Sequence, residues 1–102
     1  MVEVVPEDKL EAWAEFLKAL AHPIRLKIIS MLIEGGQCVK NLSDLLNISQ
    51  PNVSQHLSIL RSKGIVGCKR DGSIVCYYIK DERVLEIYKI LSKEVYDGRD
   101  HT

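Results

Sequence analysis

Apolar residues recur at helical spacing over most of the chain and predict five helices. The first runs from Glu7 to Ala21 and the second from about Pro23 to Glu34. His22-Pro23 separates them, because the residue before a proline avoids helical angles. An apolar stripe is predicted on the first helix, formed by Leu10, Trp13, Ala14, Leu17 and Leu20, and another on a last helix from Asp81 to about Tyr96, formed by Val84, Ile87, Tyr88, Leu91 and Val95. The residues predicted to face inward are Ile24, Ile28, Met31 and Leu32 in the second helix and Leu42, Leu45 and Leu46 in a short third helix.

The stretch from Asn41 to Lys63 predicts the third and fourth helices, joined by a tight corner at Leu46-Asn47-Ile48-Ser49. Asn47 can turn there because Asn tolerates left-handed backbone angles. Ser49 can cap the fourth helix with its side-chain oxygen, and Pro51 falls in the first turn, where a missing N–H costs little. The fourth helix has Val53, His56, Leu57 and Leu60 facing inward and Gln50, Asn52, Ser54, Gln55 and Ser58 facing outward.

After Gly64 the pattern changes from helical to extended and predicts a β-hairpin. Its strands are Ile65–Arg70 and Ile74–Lys80, joined by an Asp71-Gly72-Ser73 turn. Lys69 and Arg70 place two cations beside the tip. A basic hairpin directly after two helices joined by a tight corner is typical of a wing, which usually reaches a neighbouring DNA groove or phosphate, and a solvated loop is the alternative.

The outer face of the fourth helix is short, polar and uncharged. Its side chains carry hydrogen-bond donors and acceptors of a size suited to base edges in a DNA groove. This helix is therefore interpreted as the recognition helix of a helix-turn-helix. The alternative is an ordinary solvated surface, because polar outer faces occur on many helices that never touch nucleic acid.

Length, composition and charge limit which classes of protein this chain can belong to. The 102 residues, 46% hydrophobic and 27% charged, predict one domain over residues 1–102 with a core at roughly 7–97. The net charge is zero, but the span from Leu45 to Arg70 has bases and no acid, so one face can approach phosphates. The chain has no apolar run long enough to span a bilayer and no signal peptide, and its odd number of cysteines, three, argues against a full set of disulfides. We therefore expect a cytoplasmic protein that does not enter membranes.

Three segments together resemble the ArsR/SmtB winged helix-turn-helix repressors of bacteria and archaea. They are Leu20–Ile29, Leu46–Leu60 and Lys69–Gly72, within which Ala-His-Pro-Ile-Arg from Ala21 and Ser-Gln-x-x-Val-Ser-x-His-Leu from Ser49 are together specific, and the similarity spans roughly residues 10 to 96. The resemblance implies a mainly α winged helix-turn-helix in the order α-α-α-α-β-β-α. It also implies a homodimer through the first and last helices, whose recognition helices enter successive major grooves of a near-palindromic double-stranded operator.

The resemblance also places the expected DNA contacts. Base contact is predicted for Gln50, Asn52 and Gln55, and phosphate or groove-edge contact for Ser49, Ser54, Lys69 and Arg70. His56 falls at a position where the family contacts DNA, but its spacing along the helix turns it partly towards the core. Both a DNA contact and a role in helix packing therefore stay open for this residue.

The metal sites of the family are altered in this chain. The family's Cys-Val-Cys reads Cys38-Val39-Lys40, and one thiolate with a neighbouring ammonium does not suit trivalent arsenic. The positions that match the family's zinc site read Asp81-x-Arg83 and Glu94-x-x-Asp97, without histidine. We therefore predict no metal site and no cofactor, and the inducer stays unknown.

Two cysteines suggest a redox alternative. If Arg70 pairs with Ile74 across the turn, Cys68 and Cys76 lie directly opposite each other, at a spacing slightly wide for a disulfide. These are the candidate redox thiols, and the alternative is that both are small apolar fillers of the sheet.

The function predicted is a sequence-specific DNA-binding transcriptional regulator, in the form of an inducer-released repressor. An enzyme is not expected, because Ser54 and His56 diverge on one helix and no phosphate-binding glycine loop or carboxylate pair is present. Two competing functions stay open: a winged helix used for protein association and a thiol-responsive regulator.

Overall fold

A computed structural model describes residues 4–93 of the chain. Its elements are α1 (Glu7–Leu20), α2 (Pro23–Ile33), β1 (Gln37–Cys38), α3 (Val39–Leu46), α4 (Gln50–Ser62), β2 (Val66–Asp71), β3 (Ile74–Ile79) and α5 (Glu82–Ser92). The predicted α-α-α-α-β-β-α order is confirmed, with the two-residue strand β1 added between α2 and α3. The predicted extension of the last helix through Val95 to Tyr96 lies outside the described residues.

Side-chain caps begin α2 and α5, as one also does at α4, which is described with the interface below. The Nδ1 atom of His22 accepts a hydrogen bond of 3.1 Å from the Ile24 backbone N–H, and Pro23 opens α2. Asp81 Oδ1 accepts one of 2.9 Å from the Arg83 backbone N–H at the start of α5. Such caps satisfy N–H groups that have no partner within the helix, so these breaks between elements are encoded locally.

One apolar core lies beneath the helix-turn-helix. It is formed by Phe16, Ala19, Leu20, Ile28, Ile29, Leu32, Leu42, Val53, Leu57, Leu60, Ile65, Val66 and Val84. The prediction that Leu45 faces inward is wrong, since its side chain is 61% exposed. The eight-residue α3 makes little more than two turns, and Leu42 fills its one deeply buried position.

The three strands form an antiparallel sheet in the order β1-β3-β2. Asp71 pairs with Ile74, so the hairpin turn has two residues, Gly72 and Ser73. The predicted Arg70–Ile74 pairing is therefore wrong by one position, and Arg70 pairs with Val75 instead. Gly72 has φ +64°, and glycine at the first central position allows the tight two-residue turn that suits twisted strands.

Within residues 4–93, no helix combines the length and the apolar composition that crossing a membrane requires.

Candidate nucleic-acid interface

The corner between α3 and α4 adopts the predicted turn. Asn47 has φ 57° and ψ 44°, in the left-handed region that asparagine tolerates. Ser43 holds the corner from inside: its carbonyl oxygen accepts a hydrogen bond from the Ile48 N–H, and its hydroxyl donates to the Ile48 carbonyl. No role for Ser43 was predicted from the sequence. Its position four residues before Asn47 was the available signal, because that spacing reaches the orphan groups of a helix end.

Ser49 caps the recognition helix as predicted. Its Oγ accepts a hydrogen bond of 3.3 Å from the Asn52 backbone N–H, and Pro51 occupies the first turn. One side-chain cap typically stabilises a helix by about 1 kcal/mol. The hydroxyl that was predicted to contact phosphate therefore also sets where α4 begins.

The two faces of α4 differ sharply in exposure. Val53, Leu57 and Leu60 are completely buried in the core. The opposite face is exposed throughout and consists of Gln50, Asn52, Ser54, Gln55 and Ser58. The predicted base-contacting residues thus stand together on one surface, held by a helix whose other side is packed into the domain.

His56 lies between these faces and belongs to a polar cluster that ties α4 to α2. Its ring is 4.7 Å from that of His22 between centroids, and its Nδ1 accepts a 3.4 Å hydrogen bond from Arg25 Nη1. Arg25 Nε also donates to the Ala19 carbonyl at 2.6 Å. Because arginine has no acceptor, this contact requires an unprotonated Nδ1 on His56.

The pKa of His56 is lowered, first by partial burial and then by its electrostatic interactions with His22 and Arg25. The contacts of His56 with His22 and Arg25 support a role in packing α4 against α2, which was one of the two roles left open for His56 by the sequence. Arg25 was missed as a positioning residue, although it stands in the Ala-His-Pro-Ile-Arg segment that carries the resemblance.

The cations of the wing and of the C-terminal end of α4 differ in their surroundings. Within the described residues, Lys69 and Arg70 lie on the exposed part of β2 without an acidic group within 4.0 Å. Lys63 Nζ instead lies 3.4 Å from Glu15 Oε1 of α1. The fold therefore places a carboxylate beside the segment from Leu45 to Arg70, which contains no acidic residue of its own. Hydrogen bonds and charge from Lys18, and then from Lys63, lower the pKa of Glu15.

The cysteines do not pair as predicted. Cys68 lies opposite Tyr77, and Cys76 lies opposite Lys69, because the turn is one residue shorter than expected. Successive residues of a strand point to opposite faces, so Cys68 and Cys76 are on different sides of the hairpin. Their role as a facing redox pair is therefore ruled out by the register. Cys76 lies opposite Cys38 of β1 instead, and all three cysteines are free and half-buried.

The family's zinc position on α5 is occupied by an ion pair. Arg83 Nη2 lies 2.7 Å from Asp81 Oδ2, and the arginine lowers the pKa of that carboxyl group. Glu94 and Asp97 lie outside the described residues. Among residues 4–93, no three His, Cys, Asp or Glu side chains are grouped so that they could hold a metal ion.

A capped recognition helix, its bracing helix and a basic hairpin beside them define a winged helix-turn-helix, a class of DNA-binding transcriptional regulators. The family model described as "Bacterial regulatory protein, arsR family" matches residues 22–67. Together with the relatives below, this match shows that the chain belongs to the arsR family. The resemblance found in the sequence is thereby confirmed, and the family consists of regulators rather than enzymes.

The relatives extend the similarity over most of the chain. HTH-type transcriptional repressor SmtB of Mycobacterium tuberculosis is 40% identical over 95 residues, which cover 93% of this chain and 69% of the relative. The crystal structure of NolR from Sinorhizobium fredii superposes with a TM-score of 0.80 at 35% identity, covering 90% of this chain and 94% of that one. A homodimeric winged helix-turn-helix DNA-binding domain from Mycobacterium bovis, solved by NMR, gives 0.77 at 27% identity, covering 89% and 86%.

Proposed function

We propose that this protein is a homodimeric transcriptional repressor that binds a near-palindromic operator and releases it when an inducer acts. The observation that carries the proposal is the exposed polar face of α4, which is held in place by a cap at Ser49 and by three fully buried residues. The repressor name of the Mycobacterium tuberculosis relative supports the mode of action. As a DNA-binding regulator, the protein is proposed to act in the cytoplasm.

Exposed apolar side chains on the end helices support the homodimer. Trp13 and Leu17 of α1 are 42% and 53% exposed, and Ile90 and Leu91 of α5 are 62% and 63% exposed. Large exposed apolar side chains cost free energy in water, and their number on these two helices supports an association surface there. The homodimeric Mycobacterium bovis domain has the same fold. A two-fold dimer would present its recognition helices to half-sites about 10 base pairs apart, or a multiple of that.

The roles at the interface follow from side-chain chemistry. Gln50, Asn52 and Gln55 are proposed to read bases, because amides offer a donor and an acceptor together. Ser49, Ser54, Lys69 and Arg70 are proposed to contact phosphates or the groove edge. The proposed contact residues on α4 begin at its N-terminal end, where recognition helices of this class meet base edges.

The inducer is proposed to act elsewhere than at the family's metal positions. Lys40 would repel a cation beside Cys38, and Arg83 already neutralises the carboxylate of Asp81.

The test is a gel-shift titration with DNA fragments from just upstream of the protein's own gene, at two salt concentrations. Binding to one fragment, with an affinity that falls steeply as salt rises, is expected because phosphate contacts release counterions. Failure to bind any upstream fragment, or binding without salt dependence, would favour a winged helix used for protein association.

A further inference from the structure

Two thiols and an ammonium group form one row across the wing sheet. Cys38 of β1 lies directly opposite Cys76 of β3, and Cys76 lies opposite Lys69 of β2. Directly opposed residues in antiparallel strands point to the same face of a sheet. The two thiols are therefore neighbours, with Lys69 on the far side of Cys76.

This row lies on the outer face of the sheet. Tyr77 and Ile79, which alternate with Cys76 and Tyr78 along β3, pack against the core. Cys76 lines an open recess of about 400 Å³ together with Gly36, Lys69, Tyr77 and Tyr78. Both Cys38 and Cys76 are half-buried, so a small solute can reach them from solvent.

The geometry suits a bond between these two sulfurs. Opposed residues have Cβ atoms about 4.5–5.5 Å apart, and a disulfide requires about 3.5–4.5 Å. A strand shift of roughly 1 Å is therefore enough to close the bond. Cys68 points to the other face of the sheet and is excluded as a partner for Cys76.

We propose that Cys38 and Cys76 are a modification site at which a hydroperoxide forms an intrachain disulfide that lowers operator affinity. One thiolate attacks the peroxide oxygen, which gives a sulfenic acid and releases hydroxide or an alkoxide. The second thiolate attacks the sulfenic sulfur, forms the S–S bond and releases the oxygen as water. The two thiols lose two electrons, and hydrogen peroxide, where it is the oxidant, is reduced to two water molecules.

The position of the bond explains the effect on DNA. Cys38 directly precedes α3, and the loop closed by the disulfide contains α3, α4, β2 and the wing tip. Drawing β3 towards β1 moves Lys69, which pairs with Cys76, relative to the recognition helix. The affinity effect rests on the proposed function, whereas formation of the disulfide does not.

The first experiment maps the cross-link. Full-length reduced protein is treated with a small excess of hydrogen peroxide, alkylated with N-ethylmaleimide, digested without reductant and analysed by mass spectrometry. We expect a peptide pair joined through Cys38 and Cys76, with Cys68 alkylated. Cys38→Ala and Cys76→Ser should abolish the pair, and the matched control Cys68→Ser should keep it. Alkylated Cys38 and Cys76 after oxidation, a link through Cys68, or a link between chains would overturn the proposal.

The second experiment measures operator affinity by fluorescence anisotropy on reduced, oxidised and re-reduced protein. Oxidation should weaken binding within the roughly 5- to 150-fold range of typical couplings, and dithiothreitol should restore it. Cys68→Ser should respond as the wild type does, and Cys76→Ser should not respond. Equal affinity of mapped, oxidised protein and reduced protein would overturn the switch. If reduced protein binds no upstream DNA, the proposed repressor function fails instead, while the cross-link map still decides whether the site exists.

Discussion

Gln55→Ala separates base reading from folding. The Gln55 side chain is exposed on α4 and makes no hydrogen bond within residues 4–93. Alanine is a better helix former, so the free energy of unfolding should change by less than about 0.5 kcal/mol. If Gln55 reads a base, each half-site should lose about 1–3 kcal/mol of binding free energy.

The two-fold dimer doubles this effect. With the contact repeated in both half-sites, the operator should lose about 2–6 kcal/mol, which is roughly a 30-fold or greater rise in Kd. Random DNA should lose little. The assay is fluorescence anisotropy on both DNAs, with chemical denaturation as the folding check. Ser62→Ala is the matched control, because Ser62 lies in the last turn of the same helix and donates only to the Ile59 carbonyl.

Arg70→Ala provides the contrasting result. A lost phosphate contact weakens operator and random DNA about equally, and it lowers the slope of log K against log salt by about 0.9 per phosphate, or about 1.8 per dimer. Equal losses for Gln55→Ala on the two DNAs, or an unchanged salt slope for Arg70→Ala, would refute this division between base and phosphate contacts.

Three further predictions concern the supports of the site. Because the pKa of His56 is lowered in the folded state, its contribution to stability is complete above the ordinary value of 6.5 and is lost as pH falls from that value through the lower folded-state pKa. Urea unfolding should therefore show less stability at about pH 5.5 than at about pH 8, and His56→Gln should reduce the difference. The same pH dependence in both proteins would contradict this. Ser49→Ala should lower the free energy of unfolding by about 1 kcal/mol, whereas unchanged stability would mean that its hydroxyl caps nothing. Leu17→Lys places a charge on the exposed apolar face of α1 and should therefore shift the protein from dimer towards monomer in analytical ultracentrifugation. Lys27→Ala, at an exposed position of α2, is the control. A dimer that Leu17→Lys leaves unaltered would exclude α1 from the interface.

The recognition helix and its entry could be predicted because their causes are local. The left-handed turn at Asn47, the cap at Ser49 and the proline in the first turn each depend on contacts within a few residues. The polar face follows from helical spacing alone.

The strand register depended on the turn, and a change of one position altered the chemistry. Counting Asp71 as part of the turn placed Cys68 opposite Cys76, but a positive φ at Gly72 shortens the turn to two residues. The same register, together with β1, places Cys76 beside Cys38. No local pattern marks β1, because a two-residue strand has no periodicity and forms only when β3 is beside it.

By itself, the sequence determined the order of the elements, the corner, the cap and the exposed polar face of α4, because these rest on short-range sterics and periodicity. Tertiary structure alone decided the Arg25–His56 contact, the Lys63–Glu15 ion pair, the exposure of Leu45 and the partner of Cys76. Each of these joins groups that are distant along the chain or depends on how one element packs against another. Their positions are set by the packing of the whole domain.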